Sequence, residues 1–122
     1  MKCVGIIDGV TKVLNIEDDL EVYYDLLKCR MIDITTRKIG GKYYDIICDD
    51  EGLLKEEIRI SAMDKDNEPC LAGSIIICNF DDDDGREQSL DDADIRNIFR
   101  NIITFVNMVD GEETDVLIGV DY

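Results

Sequence analysis

The sequence has no histidine and no tryptophan, and its single proline is Pro69. Without histidine, the chain lacks the most common general base and metal ligand of proteins. The Ser-His and Cys-His pairs that activate catalytic nucleophiles are excluded for the same reason. No other catalytic signature takes their place, so the residues do not point to a reaction.

Basic residues are also scarce. The 13 Lys and Arg residues stand against 29 Asp and Glu, which gives a formal net charge of −16. The imbalance is steepest after residue 80, where thirteen acids, beginning with four consecutive aspartates, face three arginines. Such a charge repels nucleic acid and anionic membranes and attracts basic surfaces or cations. We therefore predict no binding to nucleic acid or membrane, and a basic protein surface as the partner.

Long apolar runs are missing too, since no stretch approaches the eighteen or so residues that a membrane-spanning helix needs. The N-terminal apolar stretch is interrupted by Asp8, too early for a signal peptide. These features predict a cytoplasmic protein. With 122 residues, 45% of them hydrophobic, the chain is expected to fold as a single domain over 1–122.

The five cysteines show no C-x-x-C spacing and are Cys3, Cys29, Cys48, Cys70 and Cys78. Disulfides are not expected in the cytosol, so cysteines within apolar runs are interpreted as small core residues. A zinc site would need four thiolates, and no two cysteines are closely spaced. We predict neither a metal nor a cofactor.

Hydrophobic alternation and turn residues predict mainly strands. They are expected at residues 3–7, 10–16, 31–38, 42–48, 71–80 and 116–120. Asp8-Gly9 and Gly40-Gly41 are hairpin turn signals. Residues 71–80 are the most apolar and are predicted to be a central strand. Residues 53–60 fit a helical turn or a short strand, and 61–70 contains a polar loop.

Two helices are predicted. The first runs from about residue 17 to 28 after an Asn15 cap, with four apolar residues on one face, Leu20, Tyr23, Tyr24 and Leu27. The second covers 90–108 after a capping box of Ser89 and Asp92. Its apolar stripe is Ile95, Ile98, Phe99, Ile102, Ile103 and Val106. The expected fold is α+β, a mainly antiparallel sheet with both helices, including the long C-terminal one, on one face.

The order of these signals resembles a known family. A helix at 20–27 leads to Met31-Ile32-Asp33-Ile34, then to the acidic turn Asp49-Asp50-Glu51-Gly52, the Gly73-containing strand and Ser89-Leu90-Asp91-Asp92. This series is similar to small uncharacterised domains of phages, plasmids and other mobile elements of Gram-positive bacteria, over about residues 1–105. Lys28-Cys29-Arg30 replaces the glycine pair usual after the first helix, and the tail 110–122 extends past the usual end. The family has no established activity, so the resemblance implies a genomic setting.

The aspartate run has some features of a calcium loop. With Gly85 at the sixth position, Phe80 would occupy the first ligand position, and Asp91 would replace the final glutamate. These two mismatches favour a solvated acidic loop. In the second acidic stretch, 64–68, Pro69 follows where a calcium loop would need glycine, which favours a polar turn.

Two hypotheses for the function follow. The first is a non-catalytic phage or mobile-element protein that binds a basic host protein surface and, in a sharper form, mimics nucleic acid to inhibit a host defence enzyme. Its predicted contact residues are Asp18, Glu21 and Asp25 on one helix face, and Asp81, Asp82, Asp83 and Asp84. Arg96 and Arg100 on the second helix count against an extended mimic. The alternative is a small-ligand-binding domain or an enzyme of unknown reaction, which a buried polar pocket would favour.

Overall fold

The computed structural model describes residues 1–54, 59–80 and 86–122. The elements of this part are β1 (Lys2–Ile7), β2 (Val10–Asn15), α1 (Leu20–Leu27), β3 (Ile32–Ile39), β4 (Lys42–Asp49), β5 (Ile60–Asp64), β6 (Pro69–Ala72), β7 (Ile75–Phe80), β8 (Glu87–Gln88), α2 (Asp92–Arg100), β9 (Ile102–Val106) and β10 (Glu113–Val120). A 3-10 turn, Gly52–Leu54, follows β4. The structure is therefore mainly antiparallel sheet with two helices, an α+β fold as predicted.

The larger sheet has the strand order β2-β1-β7-β4-β3, and β8 adds to the end of β7. All of these pairs are antiparallel. The predicted hairpins β1–β2 and β3–β4 are confirmed, and positive φ angles at Asp8, Gly9, Gly40 and Gly41 close their turns. The central position predicted for the apolar strand is confirmed for β7.

A smaller second sheet, which was not predicted, has the order β6-β5-β10-β9. Its strand β10 pairs antiparallel with β9 and parallel with β5, so β10 is interior and β9 forms an edge. The strand predicted at 116–120 is thus confirmed, as part of the longer β10. The stretch 61–70 contributes to a further hairpin, because β5 and β6 flank the short turn 65–68.

Both faces of the larger sheet are covered. On β7, Ile75 and Ile77 point toward the small sheet and α2, whereas Ile76 and Cys78 point toward α1, and all four are buried. This explains why β7 is apolar without alternation. The layers are α1, the larger sheet, and then the small sheet with α2. The two helices therefore lie on opposite faces of the larger sheet, and the prediction that they share one face is wrong.

The predicted helix 90–108 is also wrong in length. Asn101 caps α2, and the residues after it form β9, whose backbone pairs with β10. Ile102 and Val106 fit the helical period as well as a strand, so periodicity did not reveal the boundary. Ile98 is fully buried as predicted, but Phe99 is 41% exposed and Val106 is 53% exposed.

Both helices begin later than predicted. The capping box of α2 consists of Asp91 and Asp94, two residues beyond the predicted pair, and the Ser89 hydroxyl instead accepts a hydrogen bond from the Lys2 N–H. The N-cap of α1 is Asp19, whose side chain accepts from the Glu21 N–H at 2.8 Å. On α1, Tyr23 and Leu27 are buried and Tyr24 is partly buried, whereas Leu20 is 56% exposed, against the predicted four-residue face.

The predicted strand 71–80 is interrupted at Gly73, whose φ of +81° favours glycine. The chain turns there from β6 in the small sheet to β7 in the larger one. The ambiguous stretch 53–60 ends with the first residue of β5, and its residues 55–58 lie outside the described part of the chain.

Candidate protein-binding surface

The first predicted acidic cluster is only partly on a helix. Asp18 precedes α1 and accepts a hydrogen bond from the Tyr23 hydroxyl, so it is not the first member of a helical row. Glu21 and Asp25 are exposed and stand four residues apart on α1, which places them on one face. The expected row of three carboxylates is therefore a row of two.

The second predicted cluster, Asp81–Asp84, lies outside the described residues. Its role as a contact site stays a prediction. Among the residues that are described, no group of three or more Cys, Asp or Glu side chains is arranged to hold a metal ion.

A polar network at the start of α2 surrounds Asp94, which is 4% exposed. The carboxylate accepts hydrogen bonds from the Lys42 ammonium at 2.6 Å, the Tyr44 hydroxyl at 3.0 Å and the Asn79 amide at 2.9 Å. Asn97 completes the network by donating to the Tyr44 hydroxyl at 3.0 Å. These hydrogen bonds connect α2 to β4 and β7. The network therefore has a structural role.

The protonation states of this network also favour a structural role. Burial would raise the pKa of Asp94, but hydrogen bonds from Lys42, the Asp91 N–H and Tyr44 outweigh burial and lower that pKa below its ordinary value. The hydrogen bond to Asp94 raises the pKa of Lys42. Both groups therefore stay charged at neutral pH and remain an ion pair.

A second polar group lies on the α1-facing side of the larger sheet. The strand register puts Cys78, Asp45 and Thr36 side by side. The Cys78 thiol donates to Glu87 at 3.0 Å, and the Thr36 hydroxyl donates to Asp45 at 2.7 Å. Burial raises the pKa of Glu87 to about 7, and the charge of Asp45 and a hydrogen bond between Glu87 and Asp45 act in the same direction. Sequence reasoning missed this carboxyl pair, because strand register alone brings its members together.

Two adjacent carboxyl groups can act as acid and base, so this pair is the feature that most favours an enzyme. A catalytic role also requires access for a substrate. Neither Glu87 nor Asp45 lines either of the two cavities described below. The pair therefore does not yet constitute a site.

The cysteines agree with their interpretation as core residues. None of the five is in a disulfide, and Cys3, Cys48 and Cys78 are buried. Burial raises the pKa of Cys3 to about 11 and that of Cys48 to about 12. These thiols remain protonated at neutral pH and are poor nucleophiles.

A cavity of about 180 Å³ lies between the two sheets near the edge strand β3. Its polar lining includes Thr35 and Arg37 of β3 and the thiols of Cys48 and Cys70. The Arg37 guanidinium lies 4.0 Å from the Tyr122 ring centroid and donates to the Thr35 hydroxyl at 2.9 Å. Ligand pockets usually exceed about 300 Å³, so this cavity is small. Because the Arg37 guanidinium already contacts Tyr122 and Thr35, the cavity gives the ligand-binding alternative only weak support.

A larger depression lies on the outer face of the small sheet, the face turned away from the core. We call it the outer groove. Its volume is about 400 Å³, and its apolar lining comes from all four strands, Ile60, Met63, Pro69, Phe105 and Val116. Phe105 is 45% exposed and its outer-face neighbour Ile103 is 41% exposed. Arg59 and Glu112 form an ion pair of 3.5 Å in its wall.

Acidic turns border the outer groove at both ends. The turn 65–68 precedes the groove residue Pro69, and its acids Asp66 and Glu68 are exposed. The turn 107–112 and the start of β10 carry three exposed acids, Asp110, Glu112 and Glu113. Because β5 and β10 run parallel, these two turns lie at opposite ends of the sheet. The groove is thus an apolar surface between two acidic rims.

Comparison with protein families matches residues 1–103 to DUF3846, a domain of unknown function. The chain belongs to this family. No curated protein and no solved structure matches it. Neither helix of the described residues is long and apolar enough to cross a membrane.

Proposed function

We propose that this protein is a non-catalytic acidic interaction domain that binds a basic surface of another protein. The observation that carries the proposal is the outer groove with its two acidic rims. An apolar centre within a polar rim is the usual anatomy of a protein-binding surface. Here the acids of the rim outnumber its bases, Arg59 and Lys65, which favours a basic partner.

The setting of this interaction belongs to the same proposal. The sequence resemblance supports a phage or mobile element as the carrier and a host protein in the cytoplasm as the partner. The sharper form, a nucleic-acid mimic that inhibits a host defence enzyme, has less support. It needs ordered rows of carboxylates, whereas α1 contributes two and the outer face of α2 exposes Arg96 and Arg100.

The proposal is tested with a fluorescent peptide of alternating lysine and valine, and with its glutamate–valine counterpart as the charge control. We expect the basic peptide to bind, more weakly as salt rises, and the acidic one not to bind. Phe105→Ser should weaken the binding roughly tenfold, because aromatic groove residues are the usual anchors. Ile34→Ser is the matched control, since Ile34 is equally exposed, at 45%, on strand β3 of the larger sheet.

A second comparison separates the outer groove from the cluster on α1. Asp66→Asn with Asp110→Asn removes one charge from each rim, and Glu21→Gln with Asp25→Asn removes the same charge from α1. We expect the rim variant to slow association more than the α1 variant. Equal changes in association rate would show that the net charge of the protein, and not a particular surface, controls association. A larger change in the α1 variant would place the binding surface on α1. No binding of the basic peptide would contradict the proposed function.

A further inference from the structure

Strand β9 has an open edge. Pairing between β9 and β10 includes hydrogen bonds from the Ile118 N–H to the Asn101 carbonyl at 2.7 Å and from the Asn107 N–H to the Glu112 carbonyl at 2.8 Å. In an antiparallel pair, hydrogen-bonded residues alternate with residues whose backbone groups point away. The backbone groups of Ile102, Thr104 and Val106 therefore point away from β10. In the described part of the chain, β9 pairs with no other strand.

The other sheet edges carry features that block strand addition, and β9 does not. Edge strands are commonly protected by proline, charged side chains or a covering segment. Strand β6 starts with Pro69, β2 contains Lys12, and β3 contains Arg37 and Lys38 and is bridged to Asp121. The sequence of β9 is Ile-Ile-Thr-Phe-Val, and four of its five residues are exposed.

We propose that β9 accepts an extended, basic segment of a partner protein as a fifth strand of the small sheet. This inference rests on the proposed function and specifies how the partner binds. Added strands gain main-chain hydrogen bonds along the edge and take specificity from alternate side chains. On the outer face, side chains of the added strand would lie beside Ile103 and Phe105, next to the outer groove. The acidic turn 107–112 at the end of β9 favours basic residues in that segment.

A second copy of the chain is the competing occupant, since two β9 edges could pair antiparallel. Each copy has a formal net charge of −16, so two copies repel each other at long range. A basic partner, in contrast, is attracted by the same negative charge. The charge therefore selects a basic partner over a second copy.

Amide hydrogen exchange of the ¹⁵N-labelled protein tests this mode directly, with the lysine–valine peptide as the probe. At saturation we expect exchange to slow by at least about tenfold at the outward amides of Ile102, Thr104 and Val106. The amides of Ile103 and Phe105, which already face β10, should change less. The control is the same peptide N-methylated at every residue, which has no backbone N–H to donate to β9 from either edge and should give no such protection.

Two substitutions at one position provide a second measurement. Thr104→Pro removes an outward N–H and should weaken peptide binding roughly three- to tenfold relative to Thr104→Ala. Both variants lose the Thr104 hydroxyl that donates to Asp115 at 2.7 Å, so their difference reports the backbone group. If the proline variant does not fold, strand addition is tested by the exchange rates of the outward amides in the unmodified chain, with and without peptide.

The outcomes separate this inference from the proposed function. Peptide binding that depends on Phe105 but leaves the three outward amides unprotected would overturn strand addition and leave the groove as the site. Protection of those amides at high protein concentration without peptide, with a dimer in light scattering, would replace the basic partner by a second copy. Absence of peptide binding would overturn both proposals.

Discussion

Replacing Glu87 by glutamine should make the protein more stable at pH 7.5 but not at pH 5. In the folded state the pKa of Glu87 is raised to about 7, by burial first and then by Asp45. A carboxyl group with a raised pKa binds its proton more tightly in the folded state. Stability is therefore highest near and below the ordinary pKa of 4.5, decreases as the pH rises toward 7, and levels off above 7.

The size of the effect follows from the two pKa values. A rise from 4.5 to about 7 corresponds to about 3 kcal/mol for a group fully shielded from water. Glu87 is only partly buried, so solvent screening reduces the expected destabilisation above pH 7 to about 1–2 kcal/mol. Glutamine keeps the shape and cannot ionise, so Glu87→Gln should regain most of this free energy.

The assay is urea unfolding of both proteins at several pH values between 5 and 7.5. This window is favourable because the chain has no histidine, the residue that usually titrates there. Glu21→Gln, on the exposed face of α1, is the charge-matched control and should show the pH dependence of the unmodified protein. Parallel pH curves for the unmodified protein and Glu87→Gln would refute the reasoning. A carboxyl ¹³C titration of Glu87 with a midpoint below pH 5 would also refute it.

Two further predictions concern α2. Ile98→Ala should cost about 3–4 kcal/mol in unfolding free energy because Ile98 is fully buried, whereas Phe99→Ala should cost less than about 2 kcal/mol because Phe99 is 41% exposed. Equal losses in chemical denaturation would contradict the different burial of these two side chains. Asp94→Ala should cost about 2–4 kcal/mol because it leaves Lys42, the buried Tyr44 hydroxyl and Asn79 without their acceptor. Asp92→Ala in the same turn removes only an exposed ion pair with Lys2 and should cost less than about 1 kcal/mol. A comparable loss would show that negative charge in the first turn of α2, not the network, matters.

Local features of the fold were predictable, and the division into two sheets was not. The hairpins at Asp8-Gly9 and Gly40-Gly41 follow from turn residues between alternating strands, which are contained in short stretches of sequence. The sheet division depends on the break at Gly73 and on the parallel pairing of β10 with β5, which are distant in the chain. A single glycine in an apolar run does not indicate by itself that the chain changes sheets.

The candidate surface was missed for a physical reason. Apolar side chains are ordinarily a signal of burial, so Ile103 and Val106 were assigned to the core-facing stripe of a helix. In the described part of the chain nothing covers the outer face of β9, which exposes Ile103, and Val106 is exposed at the end of this edge strand. The turn 65–68 was expected to be polar, but spacing along the chain did not show that the acidic turns 65–68 and 107–112 border one groove from opposite ends.

The family match covers only part of the proposed surface. The groove residues Ile60, Met63 and Pro69 lie within the match. The match ends at residue 103, within β9, whereas the interior strand β10 and the groove residues Phe105 and Val116 follow it. The matched segment contains both polar networks, around Asp94 and Glu87. The match thus spans the whole larger sheet and both networks, but only the β5 and β6 side of the outer groove. If the groove is the binding surface, part of its lining lies beyond the match, so binding must be measured on this chain.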